Sequence, residues 1–150
     1  MEVVVIARSK MDEDFKGPTL TTASGELEIK LDAVDSIFST GTRLWMSWTE
    51  TLLNRKVYLS GCRPAFVHQM NIVSNFVPRS FVIKSVYVPF YCQNKDEVKE
   101  FLFHYPTDFD DKKVLRALEF ADENGEVWTI DSPPQRYFKF IAVLAAATKT

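Results

Sequence analysis

The stretch GELEIKLDAVDSIFSTGTRLWMSWTETLL, Gly25 to Leu53, changes its hydrophobic period partway along. Leu27, Ile29 and Leu31 alternate with Glu28, Lys30 and Asp32, the period-two signature of a half-buried strand. After a polar loop, Leu44, Trp48 and Leu52 recur at helical spacing, flanked by Trp45 and Leu53. This predicts an amphipathic helix with Trp48 in the core. Ser39-Thr40-Gly41 stand between the two elements. Ser39 and Thr40 suit the N-cap, where a hydroxyl accepts a bond from a first-turn N–H. Gly41 allows a sharp backbone turn.

Working outward toward the N-terminus, Ser9 to Ser24 is polar, with Gly17-Pro18 as a turn signal and Leu20 to Ala23 as a short strand. Val3 to Ala7 is an unbroken apolar run and reads as a buried strand. In the other direction, Val57 and Leu59 mark a strand that ends at Ser60-Gly61. Pro64 fits the first position of the next helix, whose apolar face carries Phe66, Val67, Met70 and Val73 and which Asn75 and Pro78 end. Phe81 to Val88 is a strand closed by Pro89.

Strands alternating with helices predict a sheet with mainly parallel core strands. Glu28 and Lys30 argue against a sheet buried on both faces, so the helices are expected mostly on one face with the other partly wet. Beyond Pro89 the texture changes. Val98 to Tyr105 and Glu126 to Ile130 read as strands, and Asn124-Gly125 is a strong turn. Phe101, Phe103, Val127 and Trp128 are expected to build one apolar face. A last helix, capped by Asp131 or Ser132, carries Tyr137, Phe138, Ile141, Leu144 and Ala145 on its stripe. The expected fold is therefore α/β with α+β character: a mixed sheet, a C-terminal β-hairpin insertion and a final helix. Its units are a core at 1–90, the hairpin at 91–132 and the helix at 133–150, packing back on the core.

The chain has 150 residues, 46% of them hydrophobic, which suits one domain with a real core. A net charge of −2 with mixed signs provides no basic footprint for nucleic acid. No apolar run reaches the length of a membrane span, and the first residues lack the pattern of a signal peptide, so a cytoplasmic protein is expected. Its only cysteines, Cys62 and Cys92, are expected to be reduced. Cys62 precedes a helix start, but His68 would point away from it, and a buried structural cysteine is the better reading. A zinc knuckle needs four ligands, and only Cys92 could serve, so no metal and no cofactor is expected. Neither a Gly-rich phosphate loop nor a GxSxG elbow is present, and Asp108, Asp110 and Asp111 read as a solvated loop. Hydroxyls at a helix start either cap it or hold a phosphate, and for Ser39 and Thr40 both readings stay open.

Leu31-Asp32, the run Asp35-Ser36-Ile37-Phe38-Ser39-Thr40-Gly41, the amphipathic helix, the Val57-Tyr58-Leu59 strand and the helix from Pro64 together resemble the STAS domain. That is the fold of anti-sigma-factor antagonists and of the cytoplasmic tails of sulfate transporters. The family's switch motif is Asp-Ser-Ser/Thr-Gly, and its Ser is phosphorylated by a partner kinase. Ser39 matches that Ser, Thr40 the next hydroxyl and Gly41 the Gly, while Phe38 stands where the family has Asp. The second half resembles a bacterial variety with a zinc ribbon, in which Cys92 keeps one ligand and Lys95, Ala121 and Asn124 replace the others. The resemblance implies a non-enzymatic regulatory module in bacterial signalling. It would dock a protein, such as an anti-sigma factor, a kinase or another regulator, through Ser39, Thr40, Gly41, Thr42 and Arg43. Ser39 is the first phosphorylation candidate and Thr40 the second. The alternative is a self-assembling interaction protein without a switch, and a homodimer fits either reading. A small-molecule sensor is the third class.

Overall fold

The computed structural model describes residues 1–142, so Leu144 and Ala145 of the expected last stripe lie outside the described residues. Four parallel strands lie side by side in the order β1 (Glu2–Val5), β3 (Leu27–Lys30), β5 (Val57–Ser60) and β6 (Val82–Ile83). The chain adds each strand on the same side of the last. Crossovers between parallel strands are almost always right-handed, so a chain that advances in one direction places every crossover on one face. Helices α1 (Ser39–Glu50) and α2 (Pro64–Ile72) are two of those crossovers. Leu27, Ile29, Val57 and Leu59 are buried in one core with Trp45 and Phe66 of these helices. Glu28, Lys30, Tyr58, Ser60 and Lys84 lie on the uncovered face.

Two expectations about this sheet change. Val3 to Ala7 is not a buried run: β1 is an edge strand, and Val3 and Val5 are 52% and 56% exposed on the uncovered face. Only Val4 and Ile6 reach the core. Residues 20–23 form no strand; Thr21 and Thr22 instead hold the Glu2 carboxylate through N–H and hydroxyl bonds of 2.6 to 3.3 Å. The buried Arg55 joins this knot, donating to the carbonyls of Thr22 and Gly25 and pairing with Glu2 at 3.4 Å. It ties the loop before β3 to the strand on either side.

Past β1 and β3 a second parallel pair forms, β2 (Lys10–Met11) with β4 (Ser36–Ile37). It leads directly into α1. Pro64 does open α2 as its first residue, and Asn75, with φ 61, turns the chain after it.

Strand β7 (Ser85–Cys92) continues from β6 and does not stop at Pro89. It forms the spine of a four-stranded antiparallel sheet ordered β8 (Glu97–His104), β7, β10 (Val127–Ile130) and β9 (Glu119–Ala121). Lys84 accepts from Tyr105, so even-numbered residues of β7 bond to β8, and odd-numbered ones face the other side. On that side Tyr87 donates to Cys62, whereas Pro89 only accepts, from Asp131. Pro89 thus lies where the strand exchanges one neighbour for another, and no N–H is needed there. The second-half strands form this sheet instead of an inserted two-stranded hairpin. Phe90, Phe101, Phe103, Phe120 and Trp128 pack on its inner face, with ring centroids 5.0 to 5.8 Å apart. Val127 points outward, because it is one residue out of phase with Trp128. Helix α3 (Pro134–Tyr137) is a single turn capped by Pro133, not by Asp131 or Ser132, and residues 139–142 are again helical. Tyr137, Phe138, Phe140 and Ile141 are buried, and Tyr137 donates to the Tyr87 carbonyl at 2.5 Å. Among the described residues no helix is long and apolar enough to cross a membrane.

Candidate functional site

The five residues singled out in the sequence do come together at the start of α1. Ser39 and Arg43 are exposed, Thr40 and Thr42 are half-buried, and Gly41 is buried. The capping expectation is overturned. The N-cap is Phe38, in extended conformation and without a side-chain bond, and Ser39 is already the first helical residue. The backbone explains this: Phe38 donates to Met11 across the β2–β4 pair, and its own carbonyl receives the N–H and hydroxyl of Thr42. Gly41 has a steric role instead of a turning one. A Cβ there would overlap the carbonyl of Met11, so only glycine lets the first turn lie on β2. Among the described residues, the Ser39 hydroxyl and the Arg43 guanidinium have no hydrogen-bond partner in the chain. The Phe38 ring beside them is 51% exposed.

The helical stripe is rotated from the expected one. Gly41, Trp45, Thr49 and Leu52 are buried; Leu44 and Trp48 are half-buried, and Leu53 is exposed. Trp45, not Trp48, is the core residue, with its indole N–H on the Phe76 carbonyl at 2.9 Å. Trp48 packs over Gly17, where a Cβ would run into the indole.

A second polar cluster lies at the carboxyl ends of β3 and β5. Spacing gave no hint of it, because its members come from four separate segments. Tyr87 donates its hydroxyl to Asp32 Oδ2 at 2.8 Å. Arg63 donates to the Asp32 carbonyl, pairs with Glu100 at 2.9 Å and lays its guanidinium over the Tyr87 ring at 4.0 Å. Burial, and then the bond to Asp32, pushes the Tyr87 hydroxyl pKa up. Gly61, with φ 68, carries no Cβ because the Asp32 carboxylate lies against it. Glu28 accepts from Lys84 at 2.9 Å and from Ser60 at 3.1 Å, and the Lys84 bond is the main cause of its lowered pKa.

Other candidates separate. Cys62 is fully buried while His68 is exposed. Burial, and then Asp32, drives the Cys62 thiol pKa upward, the opposite of an activated nucleophile. The turns that would form a ribbon site do lie side by side. Asn94 donates to Glu126 at 3.1 Å, the Cys92 thiol approaches the same carboxylate at 3.7 Å, and Trp128 donates to Asp122 at 2.9 Å. Lys95, Ala121 and Asn124 offer no metal ligand of the thiolate or imidazole kind. Asp12, Glu13 and Asp14 bring three carboxylates together after β2, with Arg8 on Asp12 at 3.2 Å. No protein-family model matches this chain, and neither does any curated protein or solved structure.

Proposed function

We propose that this chain is a non-enzymatic, STAS-like regulatory module of the bacterial cytoplasm that docks a partner protein through the start of α1. The observation that carries this is the exposed Phe38 ring beside Ser39 and Arg43, whose polar groups have no partner among the described residues. Aromatic and Arg side chains contribute disproportionately to protein interfaces. They are presented here on a rigid base, because Gly41 seats the first turn on β2. The first turn carries no acidic residue, so a phosphate on Ser39 would meet free N–H groups and the positive end of the helix. It would add a charge of about −2 without disturbing the core, and so change how a partner docks. The test is crosslinked capture in the native host, comparing the wild type with Phe38→Ser and Arg43→Glu. A specific protein should be recovered by the wild type and lost by both variants, whose melting temperatures should stay unchanged. Equal recovery by wild type and variants would remove the surface from consideration.

One observation favours self-assembly as the second reading. The backbone groups of Val3 and Val5 point away from β3 and have no partner among the described residues, which leaves an unprotected sheet edge. Light scattering on Val3→Lys distinguishes the two: only an oligomer built on this edge would dissociate.

A further inference from the structure

Where the chain passes from β6 into β7, the uncovered faces of the two sheets meet in a groove of about 260 Å³. Its floor is the polar cluster at the ends of β3 and β5, and it shares no residue with the start of α1. The charges on its walls cancel: Glu28 and Asp32 stand against Lys30 and Lys84. Glu28 and Lys84 are committed to each other. Asp32 is held by Tyr87 through Oδ2, and Oδ1 has no partner among the described residues. Lys30 likewise has no ion-pair partner among them. Ser85 is only 4% exposed; its oxygen accepts the Gly61 N–H at 2.8 Å, while its own O–H has no acceptor among the described residues. A buried hydroxyl with an unused proton, on the wall of a cavity, is an unmet demand for an acceptor. His104 stands opposite Ser85 in the β7–β8 register and lines the same wall.

The groove therefore offers one uncommitted anionic oxygen, one uncommitted cation and a buried donor. Inorganic phosphate fits poorly, since both carboxylates would oppose a dianion. A molecule with separated positive and negative ends and no net charge fits both sets. The volume limits it to something small. We propose that this groove binds a free α-amino acid, with its ammonium on Asp32 and its carboxylate on Lys30 and the Ser85 hydroxyl. Leu102, 40% exposed at the rim, is the apolar surface that the side chain would cover.

Isothermal titration calorimetry of the whole chain, at neutral pH, against a panel of free α-amino acids tests this. N-acetyl amino acids, amino-acid amides and inorganic phosphate serve as comparison ligands. At least one amino acid should bind with one site per chain. Blocking either its amine or its carboxylate should weaken binding by about tenfold or more, the effect of losing one charged contact. Asp32→Asn and Lys30→Met should each do the same. The Asn keeps an acceptor for Tyr87, and Lys30 is exposed, so both variants should melt as the wild type does. Heat from phosphate but from no amino acid would overturn the proposal. So would silence across the panel, or binding that survives N-acetylation or both substitutions.

Discussion

Trp45→Ala probes the seat of α1 in the core. The indole is fully buried, with Phe66, Trp48, Phe76 and Phe15 at centroid distances of 5.3 to 6.3 Å, and it donates to the Phe76 carbonyl. A buried Trp removes roughly 200 Å² from water, worth about 5 kcal/mol at ~25 cal/mol per Å². Part of this remains with the alanine Cβ, and truncations of this kind cost about 3–5 kcal/mol. Leaving the Phe76 carbonyl unpaired adds about 1 kcal/mol. A total of about 4–6 kcal/mol is a large fraction of the ~5–15 kcal/mol typical of a domain. At this chain length it should lower the melting temperature by roughly 8–24 °C. Urea denaturation followed by far-ultraviolet circular dichroism, at constant slope, gives the difference directly. The comparison is Trp48→Ala. Trp48 is half-buried and makes no indole hydrogen bond among the described residues, so about 2 kcal/mol is expected. If Trp48→Ala costs as much as Trp45→Ala, the stripe of α1 has been assigned to the wrong face.

Gly41→Ala should destabilise by about 1–3 kcal/mol, because its Cβ must displace the Met11 carbonyl; Gly125→Ala, at φ 78 with open space around it, should cost only about 1–2 kcal/mol. Thermal melting of the two variants separates a steric glycine from a conformational one. The bonds from Thr21 and Thr22 hold the Glu2 carboxyl down from 4.5 to about 2. A depressed carboxyl contributes stability that is complete above its unfolded pKa and is lost as pH falls toward the folded one. Melting temperature should therefore decline between about pH 4.5 and about pH 2, and Glu2→Gln should flatten that limb while lowering stability at neutral pH, where Arg55 loses its counter-charge.

The parallel core was legible because each element carries its own period. Leu27, Ile29, Val57 and Leu59 alternate, Pro64 marks a helix start, and Glu28 with Lys30 shows that one face is wet. The misreadings occur where burial is decided by neighbours distant in sequence. Val3 and Val5 have the composition of a buried strand, but the edge position exposes them. The choice between Trp45 and Trp48 is a rotation of about 100° per residue around α1, and Phe76 settles it from 31 residues away. Ser39 and Thr40 have capping chemistry, yet the backbone pairing of Met11 with Phe38 makes the preceding residue the cap. Pro89 ends a strand by propensity and stays within one here because the N–H it lacks is not called upon. The Asp32–Tyr87–Arg63–Glu100 cluster was illegible, since no two of its members share a motif.

One topological feature connects the two surfaces proposed for binding. Because β1, β3, β5 and β6 are laid down in a single direction, right-handed crossovers leave one face without a helix among the described residues. A doubly wound sheet would have covered it. Away from the β1 edge, where Val3 and Val5 are exposed, the wet face is polar, as Glu28, Lys30, Ser60 and Lys84 make it. At Lys84 the chain passes from the parallel sheet into the antiparallel one, and residues of both, among them Lys30, Ser60, Ser85 and Leu102, line the groove. The start of α1 belongs to the opposite, covered layer, but β3 and the loop through Asp32 join the two directly. Asp32 and the Phe38 cap are separated by only five residues, and β4 between them is pinned to β2 by backbone bonds. A charge placed on Asp32 by a ligand is thus connected to the docking surface through one short, rigid segment. Any coupling between them must be reciprocal. If an amino acid in the groove changes partner affinity, bound partner must change amino-acid affinity by the same factor, and calorimetry on the complex would measure it.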